Sequence, residues 1–271
     1  MDAIYEHTLL GQRVSAPVAY DPAILQPLVR HVCRGDQLSK ALAQGYEGWD
    51  DWMCHEVSWC DLQGCPKIAQ VRIQVPALSR CLVESKSLKL YLNSLNFHRF
   101  ESEAAFKACL IQDISQAVEA SIEVEIRHWP DSISQVTNDP SDFECIDESL
   151  KTYASSSELR PDCLTLLDSA SSIQRYVSYL FRSNCPVTGQ PDWASIWIEI
   201  EGPKVDPVGL LEYLLSYRLH PGFHEQCIEQ IWVDCQSYLQ PHQLKIQGCF
   251  TPRGGIAIYP LRKMSKASNL Q

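Results

Sequence analysis

The chain has 271 residues, 45% hydrophobic and 21% charged, with 23 Lys and Arg against 33 Asp and Glu for a net charge of −10. That composition predicts a soluble globular protein of about two modules of roughly 130 residues, and excludes a mainly disordered, collagenous or coiled-coil chain. The acidic balance, with a pI near 5.3, argues against a direct grip on nucleic acid, which needs Lys and Arg on phosphates. A local cluster such as Lys86, Lys89, Arg253 and Arg262 can still hold a small anion.

The chain opens Met1-Asp2-Ala3-Ile4-Tyr5-Glu6, without a basic stretch leading into an apolar one, which predicts no secretory signal and a cytoplasmic protein. Its longest apolar runs, Ala108 to Ile111 and Ile256 to Tyr259, fall far short of the roughly 20 residues of a membrane helix. From His55 to Pro76 the pattern is strand, turn through Asp61-Leu62-Gln63-Gly64, and strand with alternating Ile68, Val71, Ile73 and Val75. Helical spacing follows at Leu88, Leu92 and Leu95, then from Ser102, a candidate N-cap, to Ala120. Ile122, Val124 and Ile126 return to strand.

Residues 128–160 carry Pro130, Pro140, several aspartates and the run Ser155-Ser156-Ser157, and read as a joining segment. Beyond it come strands at Arg175 to Arg182 and along Ala194, Ile196, Ile198 and Ile200, then helices at Pro207 to Leu219 and His224 to Leu239. A closing hairpin of Leu244 to Phe250 and Gly255 to Tyr259 turns through Pro252 to Gly255. The halves share Tyr91-Leu92-x-Ser94-x-x-x-His98 and Tyr213-Leu214-x-Ser216-x-x-x-His220, each between two helices, which favours a duplicated module.

Twelve cysteines include no C-x-x-C pair, and no compact His/Cys cluster has ligand spacing, so neither a disulfide framework nor a zinc site is expected; most read as reduced core residues. The densest motif is the loop Asn184-Cys185-Pro186-Val187-Thr188-Gly189-Gln190-Pro191-Asp192-Trp193. Its cysteine is either a nucleophile with Asp192 as proton donor or a packed thiol beside a turn residue. Glu84-Ser85-Lys86-Ser87-Leu88-Lys89 begins a helix, capped through Ser85 or Ser87, whose lysines either bind phosphate or are solvated. Phe223-His224-Glu225-Gln226 opens the last long helix; Glu225 either accepts the N–H edge of a guanine-like base or complements the helix dipole. Arg253-Gly254-Gly255 is explained as a glycine turn.

Together, in this order, these segments resemble the NADPH-dependent 7-cyano-7-deazaguanine reductases of queuosine biosynthesis in their two-module form. Glu56-Val57-Ser58-Trp59, Tyr91-Leu92-Asn93-Ser94 and Cys145-Ile146-Asp147 are similar to that form as well. The resemblance implies an α+β fold of tandem tunnelling-fold modules, each β-β-α-α-β-β with antiparallel sheets and helices on one face. Its modules are 1–127 and 161–271, joined by 128–160, in a chain that forms homodimers. It implies reduction of a nitrile to a primary amine with NADPH, through a thioimide on Cys185. Asp192 then matches the proton donor, a role that needs burial or an anionic neighbour such as Glu225 or Glu84 to keep its carboxyl protonated, and His224 assists protonation or positions substrate. Val83, Glu84, Ser85, His224 and Glu225 match substrate contacts, and Ser85, Lys86, Arg253 and Gly254 match NADPH contacts; no metal is implied.

A complete site is expected to need both halves, and no second nucleophile is expected at Cys65, because Asp61 to Pro66 lacks the Cys-Pro-Val-Thr-Gly-Gln-Pro-Asp pattern. The rivals are a zinc-dependent cyclohydrolase or pterin synthase on the same fold and a purine-binding relative without catalysis.

Overall fold

Strand alternation at Val71, Ile73 and Val75 and helical spacing at Leu88, Leu92 and Leu95 converge on one apolar core. The computed structural model describes residues 17–43, 45–128, 140–153 and 156–265. The expectations for Met1 to Glu6, Pro130 and Ser155 lie outside them. The described residues form two compact units: 17–35, 49–128 and 252–258 in the first, and 36–43, 45–48, 140–153, 156–251 and 259–265 in the second. This is a mixed protein of antiparallel sheets and, among the described residues, five α-helices, in keeping with the α+β class. None of these helices is long and apolar enough to cross a membrane.

The first unit holds β1 (Pro27–Val29), the start of α1 (Arg30–Leu42), β2 (Glu47–Cys60) from Trp49 on, β3 (Pro66–Pro76), β4 (Cys81–Val83), α2 (Ser85–Ser94), α3 (Glu103–Val118) and β5 (Glu123–Arg127), the remainder of α1 and the first two residues of β2 being counted with the second. The expected hairpin is β2 with β3, with a bulge between Cys54 and Val57, and β5 adds antiparallel to β3. Ser102 caps α3, its hydroxyl accepting from the Ala105 N–H at 3.1 Å. Phe106 of that helix stacks on Trp59 at 4.2 Å, and each such fully buried side chain contributes about 2 kcal/mol of transfer free energy. Sequence periodicity missed β1, β4 and α1. The strands have three residues each, and α1 is broken at Gly35, whose φ of 71° is not helical, with Val32 exposed where a core residue would stand.

The second unit holds β6 (Glu144–Cys145), β7 (Leu166–Asn184), β8 (Pro191–Val205), α4 (Pro207–Leu215), a 3-10 turn (Ser216–Leu219), α5 (His224–Leu239), β9 (Gln243–Phe250) and the end of β10 (Ile256–Lys263). β7 is longer than expected, because its first half is exposed and carries no alternation to read. The expected closing hairpin is registered only from Leu261↔Gln247 to Lys263↔Lys245. Nearer the turn, Ile256 and Ile258 are buried in the core of the first unit. Described residues of the joining segment pack on the second unit's strands: β6 pairs parallel to β7, and Asp147 accepts from the Ser178 hydroxyl at 2.6 Å.

Fully buried Arg262 is paired with buried Glu229 at 2.7 Å. It is therefore part of the second unit's interior and not of the anion cluster expected with Lys86, Lys89 and Arg253. Glu229→Gln leaves this guanidinium without that carboxylate and is expected to cost about 3–5 kcal/mol, read as a fall in the urea unfolding midpoint at unchanged m.

The short repeat corresponds to a repeated set of hydrogen bonds. Tyr91 donates to Asp113 Oδ2 at 2.6 Å in the first unit, and Tyr213 to Asp234 Oδ2 at 2.6 Å in the second. Ser94 and Ser216 donate to the carbonyls of those tyrosines, both at 2.6 Å. The His98 and His220 carbonyls accept, both at 2.9 Å, from the N–H of the last residues of β2 and β7, Cys60 and Asn184. The loops that follow close alike: the Asp61 N–H donates to the Cys65 carbonyl at 3.0 Å, and the Cys185 N–H to the Gln190 carbonyl at 2.8 Å. Asp61, rather than Cys65, thus occupies the place of Cys185 in the first unit.

Candidate active site

Strand register builds the loop that carries Cys185. Across β7 and β8, Ser183 faces Asp192 and Asn184 faces Pro191, so residues 185–190 form the connection. Gly189, at φ 66° where L side chains are strained, donates its N–H to the Cys185 carbonyl at 3.0 Å. Asn184 is tied twice, donating to His220 O at 2.9 Å and accepting from the Gly222 N–H at 3.0 Å. Cys185 is buried at 7% exposure, and so is Asp192 at 5%.

Helix α5 supplies the facing groups. It begins at His224, and the Gln226 side chain accepts from the Phe223 N–H at 2.9 Å, closing the helix start. His224 Nε2 lies 3.5 Å from Asp192 Oδ2, and its ring stacks on Phe250 of β9 at 4.0 Å and 14°. Glu225 follows in the first turn, buried at 3%, where the helix dipole favours a carboxylate. Cys227 is buried in the same turn; burial pushes its thiol up to about 12, with Asp192 and Glu225 adding to the shift, so it stays protonated at neutral pH.

In the first unit the helix start differs from expectation. Glu84, not a serine hydroxyl, caps α2: its carboxylate accepts from the Lys86 N–H at 2.6 Å and the Ser87 N–H at 2.8 Å. Burial raises the Glu84 carboxyl above its ordinary value, against the opposing effect of those bonds and of Lys86. Val83 ends β4 beside Glu84, buried, and Ser85 and Lys86 are half-buried in the first turn.

Lys89 ties α2 to the Arg253–Gly255 turn, donating to the Gly254 carbonyl and lying 3.2 Å from Glu56 Oε2. Gly254 has φ 59°, and a Cβ there would meet the Lys89 side chain at 3.1 Å. Lys89 and Gly254 therefore meet within the first unit, with Ser85 and Lys86 on the same helix and Arg253 in the same turn, while Asp192 meets His224 within the second, with Cys185 on the loop before it and Glu225 next in the helix. Among the described residues, no group of three or more His, Cys, Asp or Glu could hold a metal ion.

Residues 17–126 match the family model described as nitrile reductase, 7-cyano-7-deazaguanine-reductase N-term, and residues 191–269 match that of a QueF-like protein. Three relatives carry the name NADPH-dependent 7-cyano-7-deazaguanine reductase. That of Psychrobacter arcticus is 40% identical over 94% of this chain and 93% of its own. Those of Stenotrophomonas maltophilia and Acinetobacter baumannii (strain AYE) are 40% and 42% identical, over 93% and 95% of this chain and 91% and 93% of their own. The chain belongs to this reductase family.

Asp192, His224 and Glu225 fall inside the second family match, and Val83 to Lys86 inside the first. Cys185 lies between the two. Phe250 and Cys227 are the site neighbours that sequence reasoning missed. Cys227 stands in the Phe-His-Glu-Gln-Cys segment, which was a signal available to be read. Phe250 had none, since only the packing of β9 against α5 brings it to His224.

Proposed function

We propose that this chain reduces the nitrile of 7-cyano-7-deazaguanine to the primary amine of 7-aminomethyl-7-deazaguanine, at the expense of two NADPH. The observation that carries the reading is a buried loop cysteine at the end of β7 followed, across the strand pair, by Asp192 against His224, in a chain about 40% identical over nearly its whole length to named reductases.

A nitrile carbon is a poor acceptor, so Cys185 adds to it as thiolate: the C–S bond forms, one π pair moves to nitrogen, and the nitrogen takes a proton, giving a thioimide. Asp192 is assigned as the donor of that proton, and His224, 3.5 Å from its Oδ2, as the group that orients it. Glu225 accepts from the N–H edge of the deazaguanine; its burial makes an analogue lacking those donors costly to bind. Val83, Glu84 and Ser85 are assigned as further substrate contacts.

Ser85, Lys86, Arg253 and Gly254 suit the phosphates of NADPH, because Lys86 and Arg253 are cationic and Gly254, at φ 59°, holds a turn conformation that L side chains rarely adopt. When bound, NADPH supplies hydride to carbon. After the first hydride the nitrogen lone pair expels Cys185 as thiolate, leaving a C=N bond whose carbon takes the second hydride, and Asp192, reprotonated from solvent, protonates the nitrogen again.

The repeated Tyr–Asp and strand-end bonds support the finer reading of tandem tunnelling-fold modules, 1–127 and 161–271 joined by 128–160. Homodimers, a cytoplasmic location and no direct nucleic-acid contact belong to the same proposal. The test is NADPH oxidation by purified protein: it is expected only when the nitrile is added, at two equivalents per amine formed. Oxidation without nitrile, or binding of the base without turnover, would overturn it.

A further inference from the structure

The nucleophile loop is closed on itself by the bonds of Cys185 to Gln190 and Gly189, so its orientation depends on what holds its base. That base is Asn184, and both of its backbone bonds go to residues 220 and 222. The segment leading to them hangs on a buried hydroxyl cluster. Tyr213 donates to Asp234 at 2.6 Å, Tyr213 and Tyr217 hydroxyls lie 2.9 Å apart, and Gln230 donates to the other Asp234 oxygen at 2.8 Å. The Tyr217 carbonyl accepts from the His220 N–H at 2.8 Å. Its ring meets His220 edge-on at 5.3 Å and Phe181 of β7 at 5.2 Å. No residue of this cluster belongs to the site assigned above.

We propose that Asp234, Tyr213 and Tyr217 are positioning residues for Cys185, acting through His220 and Asn184 to aim the thiol at the substrate carbon. The inference rests on Cys185 being the nucleophile. Misplacement of a reacting atom by about an ångström can cost on the order of a hundredfold in rate, so a cluster remote from the chemistry can govern it. The first unit contains the same clamp without a nucleophile. There Tyr91 and Tyr20 both donate to Asp113, at 2.6 and 2.8 Å, the Tyr20 ring lies 4.9 Å from His98, and the loop residue is Asp61. A change at Tyr91 therefore reports what losing the clamp does to stability alone.

The experiment compares Tyr213→Phe with Tyr91→Phe in the full chain, mixing each with saturating 7-cyano-7-deazaguanine without NADPH and following the covalent adduct by absorbance and intact mass. Both substitutions keep the ring and are expected to lower the melting temperature by a similar few degrees. Tyr213→Phe is expected to slow adduct formation about tenfold with the dissociation constant of the base nearly unchanged. Tyr91→Phe is expected to stay within about twofold of the parent rate at saturation, and Asp234→Asn, which keeps an oxygen to accept from Tyr213, within about threefold. Equal slowing by both phenylalanine variants, or none by Tyr213→Phe, would overturn the positioning role. A parent protein that forms no adduct would instead overturn the nitrile-reductase reading itself.

Discussion

Cys185→Ala protein mixed with 7-cyano-7-deazaguanine is expected to give no covalent adduct, and its NADPH-dependent turnover is expected to fall by at least about a thousandfold. The alanine removes only the sulfur from a loop whose shape is set by backbone bonds, from Cys185 to Gln190 and from Gly189 to Cys185, so the fold should survive. Asp192, His224 and Glu225 remain in place, and the base should still bind within about threefold of the parent affinity. The other buried thiol of this region cannot substitute, because burial holds Cys227 protonated. An adduct of the alanine variant, or residual turnover above about a tenth of the parent's, would move the nucleophile elsewhere.

Asp192→Asn preserves volume and the β7–β8 register but cannot deliver a proton to nitrogen. Loss of a positioned general acid typically costs a factor of about a hundred to ten thousand, and the fall should appear in kcat with KM for the base changed little. Histidine 224, 3.5 Å away and held flat on Phe250, should not restore the rate, since a ring stacked on β9 is fixed in orientation. A loss confined to KM would make Asp192 a binding group. Asp192→Asn should also retain the parent melting temperature within a few degrees, which separates a proton-transfer defect from an unfolded strand.

Local patterns were enough to find most elements. The alternation along β3, the leucine spacing of α2, the Ser102 cap of α3 and the start of α5 at His224 all stand where periodicity and end signals put them. Those segments each bury one face, and a buried face leaves a regular trace in the sequence. The broken α1 and the exposed first half of β7 left none. The candidate site was legible as four segments because catalytic loops and helix starts use residue types, such as a loop cysteine, Glu225 and paired glycines, that packing alone would not select.

The sequence by itself determined the family, the order of strands and helices, and the repeat Tyr-Leu-x-Ser-x-x-x-His, since these depend on residue identity and short-range spacing. Only the tertiary structure decided which groups meet. Arg262 left the anion cluster because a buried guanidinium needs a buried carboxylate, and Glu229 is one turn of α5 beyond Glu225. Glu84 took the helix cap from the serines beside it. Asp113 and Asp234, absent from the repeat as read, proved to be its fixed points, because a hydroxyl buried between two helices must find an acceptor, and which acceptor it finds is set by packing across the chain.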